Sequence, residues 1–285
     1  MLPNPSDIDF VIYHASCCDG MGAAWAAWKL LGDKATYYAA DHGTPPPDVT
    51  DKTVAILDFS YDLGALEAMQ RSASGIVVLD HHISAQNDLT TFENASFDML
   101  HSGAIMAWNY FHPGEEAPLF LKYIEDRDLW KWELPFSREF SSYFCEVPFT
   151  FSDYDAFLDE EKVNYAISAG SHILPYINTC VEKLSSKASR EVFLENTVAI
   201  LNCGQWMSDI GNVLAKDSDI AIVWYYNNKS RSYKISLRTC SETIDVSKIA
   251  KIWGGGGHQK AAAFSLGGDA NIRLFFEQMK SMVLC

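Results

Sequence analysis

Four short apolar runs recur through the first eighty residues: IDFVIYH (8–14), ATYYAA (35–40), TVAILD (53–58) and GIVVLD (75–80). Between them, GMGAAWAAWKLL and YDLGALEAMQR carry apolar residues at helical spacing, and TPPPD at 44–48 is a loop. Short, strongly apolar strands separated by helices constrain the fold to a mostly parallel sheet covered on both faces, an α/β domain. Parallel strands deliver their carboxyl ends to one edge, where open α/β sheets hold ligands. Three of these runs end in polar groups of one kind: His14 followed by Asp19, then Asp58, then Asp80-His81-His82. They are expected to converge.

Each group alone has a plain reading. A strand-end aspartate is ordinarily a helix cap, and Asp58-Phe59-Ser60-Tyr61 fits a cap or turn. Asp80-His81-His82 could be a polar turn. The coincidence at three strand ends points instead to a metal cluster, since carboxylates and imidazoles suit manganese, iron, cobalt or zinc. Two ions sharing a bridging carboxylate would clamp a phosphoryl group and activate water.

Composition narrows the class further. With 48% apolar and 13% aromatic residues the chain is not disordered, and no apolar run approaches a membrane span. The opening MLPNPSDID has neither a basic segment nor an apolar core, so a soluble, cytoplasmic protein without a membrane partner is expected. Seven scattered cysteines with no CxxC argue against a disulfide framework and a structural zinc module. A net charge of −15 disfavours long duplex DNA, though a bound metal and local cations can reverse the field within one cleft. Residues 229–260 hold seven Lys or Arg against two acids, while 153–161 hold five acids and no base.

Helical patterns dominate the middle of the chain: HSGAIMAWNYF, PLFLKYIEDRDLW and a long stretch from Glu161, which Pro175 is expected to kink or divide. Trp130 and Trp132, beside EDRDL, would either cover a base or close an apolar cleft. A small α/β unit follows, with NTVAILNC, DIAIVWYY and SYKISLRT as strands and SDIGNVLAK and NIRLFFEQMKSMV as helices. The expected division is 1–150, a helical connector 151–190, and 191–285. The run Gly254–Gly257 costs backbone entropy that packing does not explain, and it allows close approach to a ligand and amide N–H groups aimed at an anion. His258 is expected at a helix start, favourable for phosphate, with Arg238 and Lys260 as flanking cations. Trp253 either stacks on a base or packs.

These motifs, in this order, resemble the DHH phosphoesterase superfamily, named for the triplet standing here as Asp80-His81-His82. Its first motif, a strand-end His before Asp-x-Asp-Gly, resembles His14…Cys17-x-Asp19-Gly20; its second, a strand-end Asp, is matched by Asp58; its fourth falls in Glu125-Asp126-Arg127-Asp128. Gly254-Gly255-Gly256-Gly257-His258, with Ala261-Ala262, resembles the DHHA1 substrate-binding domain of the RecJ-like and short-oligoribonuclease-like branch.

The resemblance implies a DHH catalytic domain, the connector, and a DHHA1 domain over the three ranges given. It implies two divalent ions, manganese favoured, on His14, Asp19, Asp58, His81 and Asp126, with Asp58 bridging and Asp126 preferred to Asp128. Asp80 and His82 flank His81, and at least one of them would orient a ligand or bind substrate. Arg127 would pair with acids or reach a phosphate. Arg238, Gly255, Gly256, Gly257 and His258 would grip the substrate. Cys17 departs from the pattern, standing where a carboxylate is usual; as a ligand it would favour zinc, iron or cobalt, and otherwise water would take its place.

The implied activity is hydrolysis of short oligonucleotides or linear dinucleotides to nucleoside monophosphates. Alternatives are a phosphomonoesterase on 3′-phosphoadenosine 5′-phosphate, an exopolyphosphatase or pyrophosphatase, and a nucleotide-binding sensor that lost turnover through Cys17. A homodimer is open on this reading.

Overall fold

The computed structural model describes residues 2–41, 43–268 and 272–281. His42, expected to be structural or exposed, and Cys285 lie outside them. The chain divides into two units between Pro175 and Tyr176.

The first unit holds β1 (Phe10–His14), α1 (Cys18–Leu31), β2 (Thr36–Ala40), β3 (Thr53–Leu57), α2 (Leu63–Ser72), β4 (Gly75–Asp80), α3 (Ile83–Asp88), β5 (Ala95–Phe97), α4 (Gly103–Phe111), α5 (Leu119–Asp128), α6 (Ser137–Phe144) and α7 (Phe151–Asp155). Its sheet has the order β2-β1-β3-β4-β5, every pair parallel. Side chains alternate between two cores. Val11, Ala55, Leu57, Val77 and Leu79 join α1, α4 and α5 on one face, while Phe10, Ile12, Val54, Ile56 and Val78 join Leu66 and Met69 of α2 on the other. Burial on both faces is why these strands read as continuous apolar runs.

The small residues of α1 serve close packing. A Cβ on Gly22 would lie 3.0 Å from the Ala104 methyl and 3.3 Å from Leu121 and Ile124, so α1, α4 and α5 meet at the shortest spacing side chains allow. Trp25, fully buried, stacks on Trp108, and Trp108 stacks on His112, whose Nε2 lies 2.9 Å from the Ala26 carbonyl. This histidine is structural.

Helix α8 (Glu160–Ser185) runs on through Pro175 as one helix; the proline does not end it, and the break between units falls at that residue.

The second unit holds β6 (Ser189–Phe193), β7 (Asn196–Asn202), α9 (Met207–Leu214), β8 (Ile220–Asn227), β9 (Ser232–Arg238), α10 (Val246–Ile252), β10 (Gly256–His258), β11 (Ala261–Gly267) and α11 (Ile272–Ser281). Its sheet runs β10-β11-β9-β8-β7-β6, with only β7 and β8 parallel. Helices α10 and α11 cover one face and α9 the other. This is the smaller α/β domain expected. No helix of the described residues is long and apolar enough to cross a membrane.

Candidate metal centre

Adjacent strands β1, β3 and β4 end at His14, just before Asp58, and at Asp80. The chain leaves β1 for β2 on one side and returns to β3 on the other, so a switch in strand order lies between His14 and Asp58. Asp58 closes that crevice with φ 53°, a left-handed backbone that aspartate and asparagine tolerate better than most residues. It is not a helix cap; α2 begins later and is capped by Asp62.

Three carboxylates converge on one imidazole nitrogen. His81 Nε2 lies 3.1 Å from Asp58 Oδ1, 3.5 Å from Asp128 Oδ2 and 3.6 Å from Asp19 Oδ2. His14 Nδ1 approaches the other Asp58 oxygen at 3.4 Å. Asp19, Asp58 and His81 could hold a metal ion, as could His14, Cys17 and Asp58, and Asp58, Asp80 and His82. Asp58 belongs to all three groups.

Two of the acids, Asp19 and Asp80, are held by backbone N–H groups. Asp19 sits on the N-terminus of α4, accepting from Gly103 N (2.6 Å) and Ala104 N (3.0 Å), where helix dipole and unpaired amides favour an anion. Asp80 Oδ1 accepts from the His81 and His82 backbone N–H groups and meets His82 Nδ1 at 2.7 Å, so this acid orients its own turn. Two glycines allow the approach. A Cβ on Gly20 would stand 2.2 Å from the His14 carbonyl oxygen, and one on Gly103 would stand 2.3 Å from Asp58 Cβ.

That contact yields a prediction. Gly103→Ala should lower metal-dependent activity by about 10–100-fold, the range for losing a support of a metal ligand, although every candidate ligand remains. Alanine is the better helix former. A variant that melts higher and keeps its activity would show that Asp58 yields freely.

The electrostatics ask for cations. Burial, with Asp58 and Asp128 beside it, raises the Asp19 carboxyl well above the usual range. Burial and Asp58 raise Asp128, while His81 partly opposes them. Burial also pushes Asp58 up, but hydrogen bonds and charge from His14 and His81 outweigh it and hold this acid well below the ordinary value. Against its own burial, His81 is pushed up to about 10 by Asp58, Asp128 and Asp19. The Cys17 thiol is raised by burial and then by Asp58, Asp128 and Asp19. The histidines alone cannot neutralise so many close acids, and hard oxygen and imidazole donors match divalent ions. The residues present fit a metal.

Glu125-Asp126-Arg127-Asp128 separates because a helix turns 100° per residue. Glu125 Oε2 accepts from Ser102 N and meets His101 Nδ1, bracing the start of α4. Asp126 is turned away from His81: its oxygens accept from Glu133 N (2.9 Å) and Leu134 N (3.3 Å). Arg127 is half-buried beside Cys18, whose thiol Cys145 and burial push well above the ordinary value, with the Arg127 charge opposing them only weakly. Of these four, Asp128 is the one whose carboxylate faces His81, at 3.5 Å, where the sequence resemblance favours Asp126. Leu121 and Ile124 face Gly22 of α1, and Asp128 continues their stripe at i+4; Tyr123 stacks on Phe140 of α6, and Asp126 follows it at i+3. The sequence shows the spacing but not which of the two stripes faces the centre. The supporting roles of Glu125, Gly20 and Gly103 have no comparable signal, because each depends on which elements meet.

In the second unit, Arg238 donates to Ser236 Oγ, the Leu237 carbonyl and Ser208 Oγ of α9, and Gly211 leaves room for its stem. His258 lies on β10 rather than at a helix start. The glycines follow the C-terminus of α10: Gly254 N and Gly255 N donate to the carbonyls of Lys251 and Ala250, so the helix dipole there does not favour an anion. Packing does account for much of the run. Gly254 and Gly257 have positive φ, and a Cβ on Gly255 would stand 2.2 Å from the Ala263 carbonyl. Trp253 packs between Phe264 and Phe275, and Lys260 pairs with Glu242 on the surface.

A family model for the DHHA1 domain matches residues 201–283. An uncharacterized protein of Acanthamoeba polyphaga mimivirus is 33% identical over 291 residues, covering 93% of this chain and 69% of that protein. The chain belongs to the DHH/DHHA1 superfamily. Oligoribonuclease NrnB of Bacillus subtilis (strain 168) is 26% identical over 183 residues, 58% of this chain and 43% of that protein. The chain thus spans under half the length of that relative. The crystal structure of an exopolyphosphatase-related protein from Bacteroides fragilis is similar in fold at 14% identity, with TM-score 0.55 over 96% of this chain and 92% of that one.

Proposed function

We propose that this chain is a metal-dependent phosphodiesterase that hydrolyses short oligonucleotides or linear dinucleotides to nucleoside monophosphates. The observation that carries the reading is the convergence of Asp19, Asp58 and Asp128 on His81 Nε2, with His14 on the far oxygen of Asp58. Its similarity to an oligoribonuclease supports a nucleotide chain as substrate.

In this reading His14, Asp19, Asp58, His81 and Asp128 would hold two divalent ions, manganese favoured, with Asp58 belonging to more than one of the ligand groups. Such ions, when bound, neutralise phosphoryl charge and lower the pKa of a coordinated water. The chain supplies the frame. Asp19 is fixed by two helix-terminal N–H groups and Asp58 by its backbone turn, so neither reorganises as charge develops at phosphorus. Asp80 fixes the His82 ring through Nδ1, directing the other edge of the imidazole away from that acid; there it would donate to a phosphate oxygen. Cys17 lies within ligand reach of His14 and Asp58, a place where zinc or iron would gain from sulfur. Within the second unit, Arg238, the glycine segment and His258 are the proposed substrate contacts.

The test is elemental analysis of metal per chain together with product analysis. Two ions per chain and nucleoside monophosphates from a linear dinucleotide are expected. Phosphate released from 3′-phosphoadenosine 5′-phosphate with the dinucleotide untouched would replace this reading by the monoesterase, and no metal uptake from manganese, cobalt or zinc would end it.

A further inference from the structure

The turn that follows Asp128 is built at a cost that packing does not explain. Trp130 and Trp132 both have φ 57°, a left-handed conformation that bulky L-residues rarely adopt. Several bonds impose it. Trp130 N donates to the Arg127 carbonyl and Lys131 N to that of Asp126, each at 2.9 Å. The buried Asp126 carboxylate takes the next two amides, Glu133 N and Leu134 N. Lys131 Nζ reaches the Leu100 carbonyl at 3.2 Å, tying the turn to the loop before α4.

The result holds two indoles edge to face, ring centroids 5.0 Å apart, with Arg138 over the Trp132 ring at 4.5 Å. Neither is a well-satisfied core tryptophan. Both are only partly buried, and Trp132 Nε1 is enclosed with no hydrogen bond among the described residues. Trp25, by contrast, is fully enclosed among aromatics. Strain of this kind, held by a buried charge and adjoining reactive groups, marks a functional surface.

Trp130 stands two residues beyond Asp128, within about 7 Å along the backbone. A base and its 5′-phosphate are separated by one ribose. We infer that Trp130, braced by Trp132, is the platform on which a nucleobase of the substrate stacks while the adjoining phosphate lies at the metal centre. This rests on the nucleotide reading above and deepens it by giving the base its own contact. Stacking tolerates any base, because each has a π-face, so the platform grips nucleotides without reading sequence.

The test compares adenosine 5′-monophosphate with ribose 5-phosphate by calorimetry on the manganese-loaded full chain, and separately measures turnover of a linear dinucleotide. Base stacking predicts that the wild type prefers the nucleotide by about 5–100-fold. Trp130→Ala should bring the two ligands to near parity, while Trp130→Phe should retain most of the preference. Trp130→Gly, which relieves the backbone strain, should behave like the alanine variant and guards against misfolding. A wild type without preference, or folded Ala and Gly variants that keep it, would overturn the inference even if the dinucleotide is cleaved. A preference lost with Trp130 in a protein that cleaves no phosphodiester would sustain the platform and remove the proposed function.

Discussion

Asp58→Asn is expected to lower phosphodiester hydrolysis by more than about 100-fold, since losing mere supports of a metal ligand already costs 10–100-fold. The substitution is conservative for the fold. Asparagine accepts the left-handed backbone found at φ 53°, keeps an oxygen for His81 or His14, and removes one negative charge from a crowded group. It also breaks the pairs with His14 and His81 that hold Asp58 ionised, so without metal the folded variant should melt below the wild type. The rise in melting temperature that saturating manganese gives the wild type should disappear with the site, because a ligand that binds only the native state stabilises it in proportion to its affinity. Near-normal turnover with two ions per chain would refute the bridging role. A metal-free melting temperature at or above the wild type's would show instead that repulsion among the acids outweighs the pairs with His14 and His81.

Exchanging two neighbouring acids should give opposite phenotypes. Asp128→Ala removes the carboxylate that faces His81. It should cost at least about 100-fold in metal-dependent turnover while barely changing stability, on the same reasoning that a ligand outweighs its supports. Asp126→Ala removes two backbone hydrogen bonds to a buried carboxylate, and should destabilise the chain by about 2–4 kcal/mol. Denaturant unfolding and metal titration on both variants read the two effects separately. If Asp126→Ala loses metal while Asp128→Ala keeps it, the geometry of α5 has been misassigned.

Much of the first unit was legible because period and position agree. The four apolar runs became β1 to β4 to within two residues, and their parallel arrangement follows from the helices between them. Convergence of His14, Asp58, Asp80 and His81 needed only that rule. The choice within Glu125-Asp126-Arg127-Asp128 was harder, because four consecutive polar residues point in four directions and only the flanking Leu121, Ile124 and Tyr123 carry the phase. The glycine run was legible as unusual but not in its cause. Gly255 and Gly257 answer to the backbone of β11, a partner that composition does not reveal.

From the sequence alone came the elements, their order and the edge of the sheet at which the polar groups gather, because hydrophobic period and strand direction are local properties of the chain. Tertiary structure alone decided which carboxylate faces His81, that the N-terminus of α4 carries Asp19, and that Gly103 must lack a side chain for Asp58 to fit. Those depend on distances between residues as much as 85 positions apart, and no local pattern encodes such distances until the helices have packed.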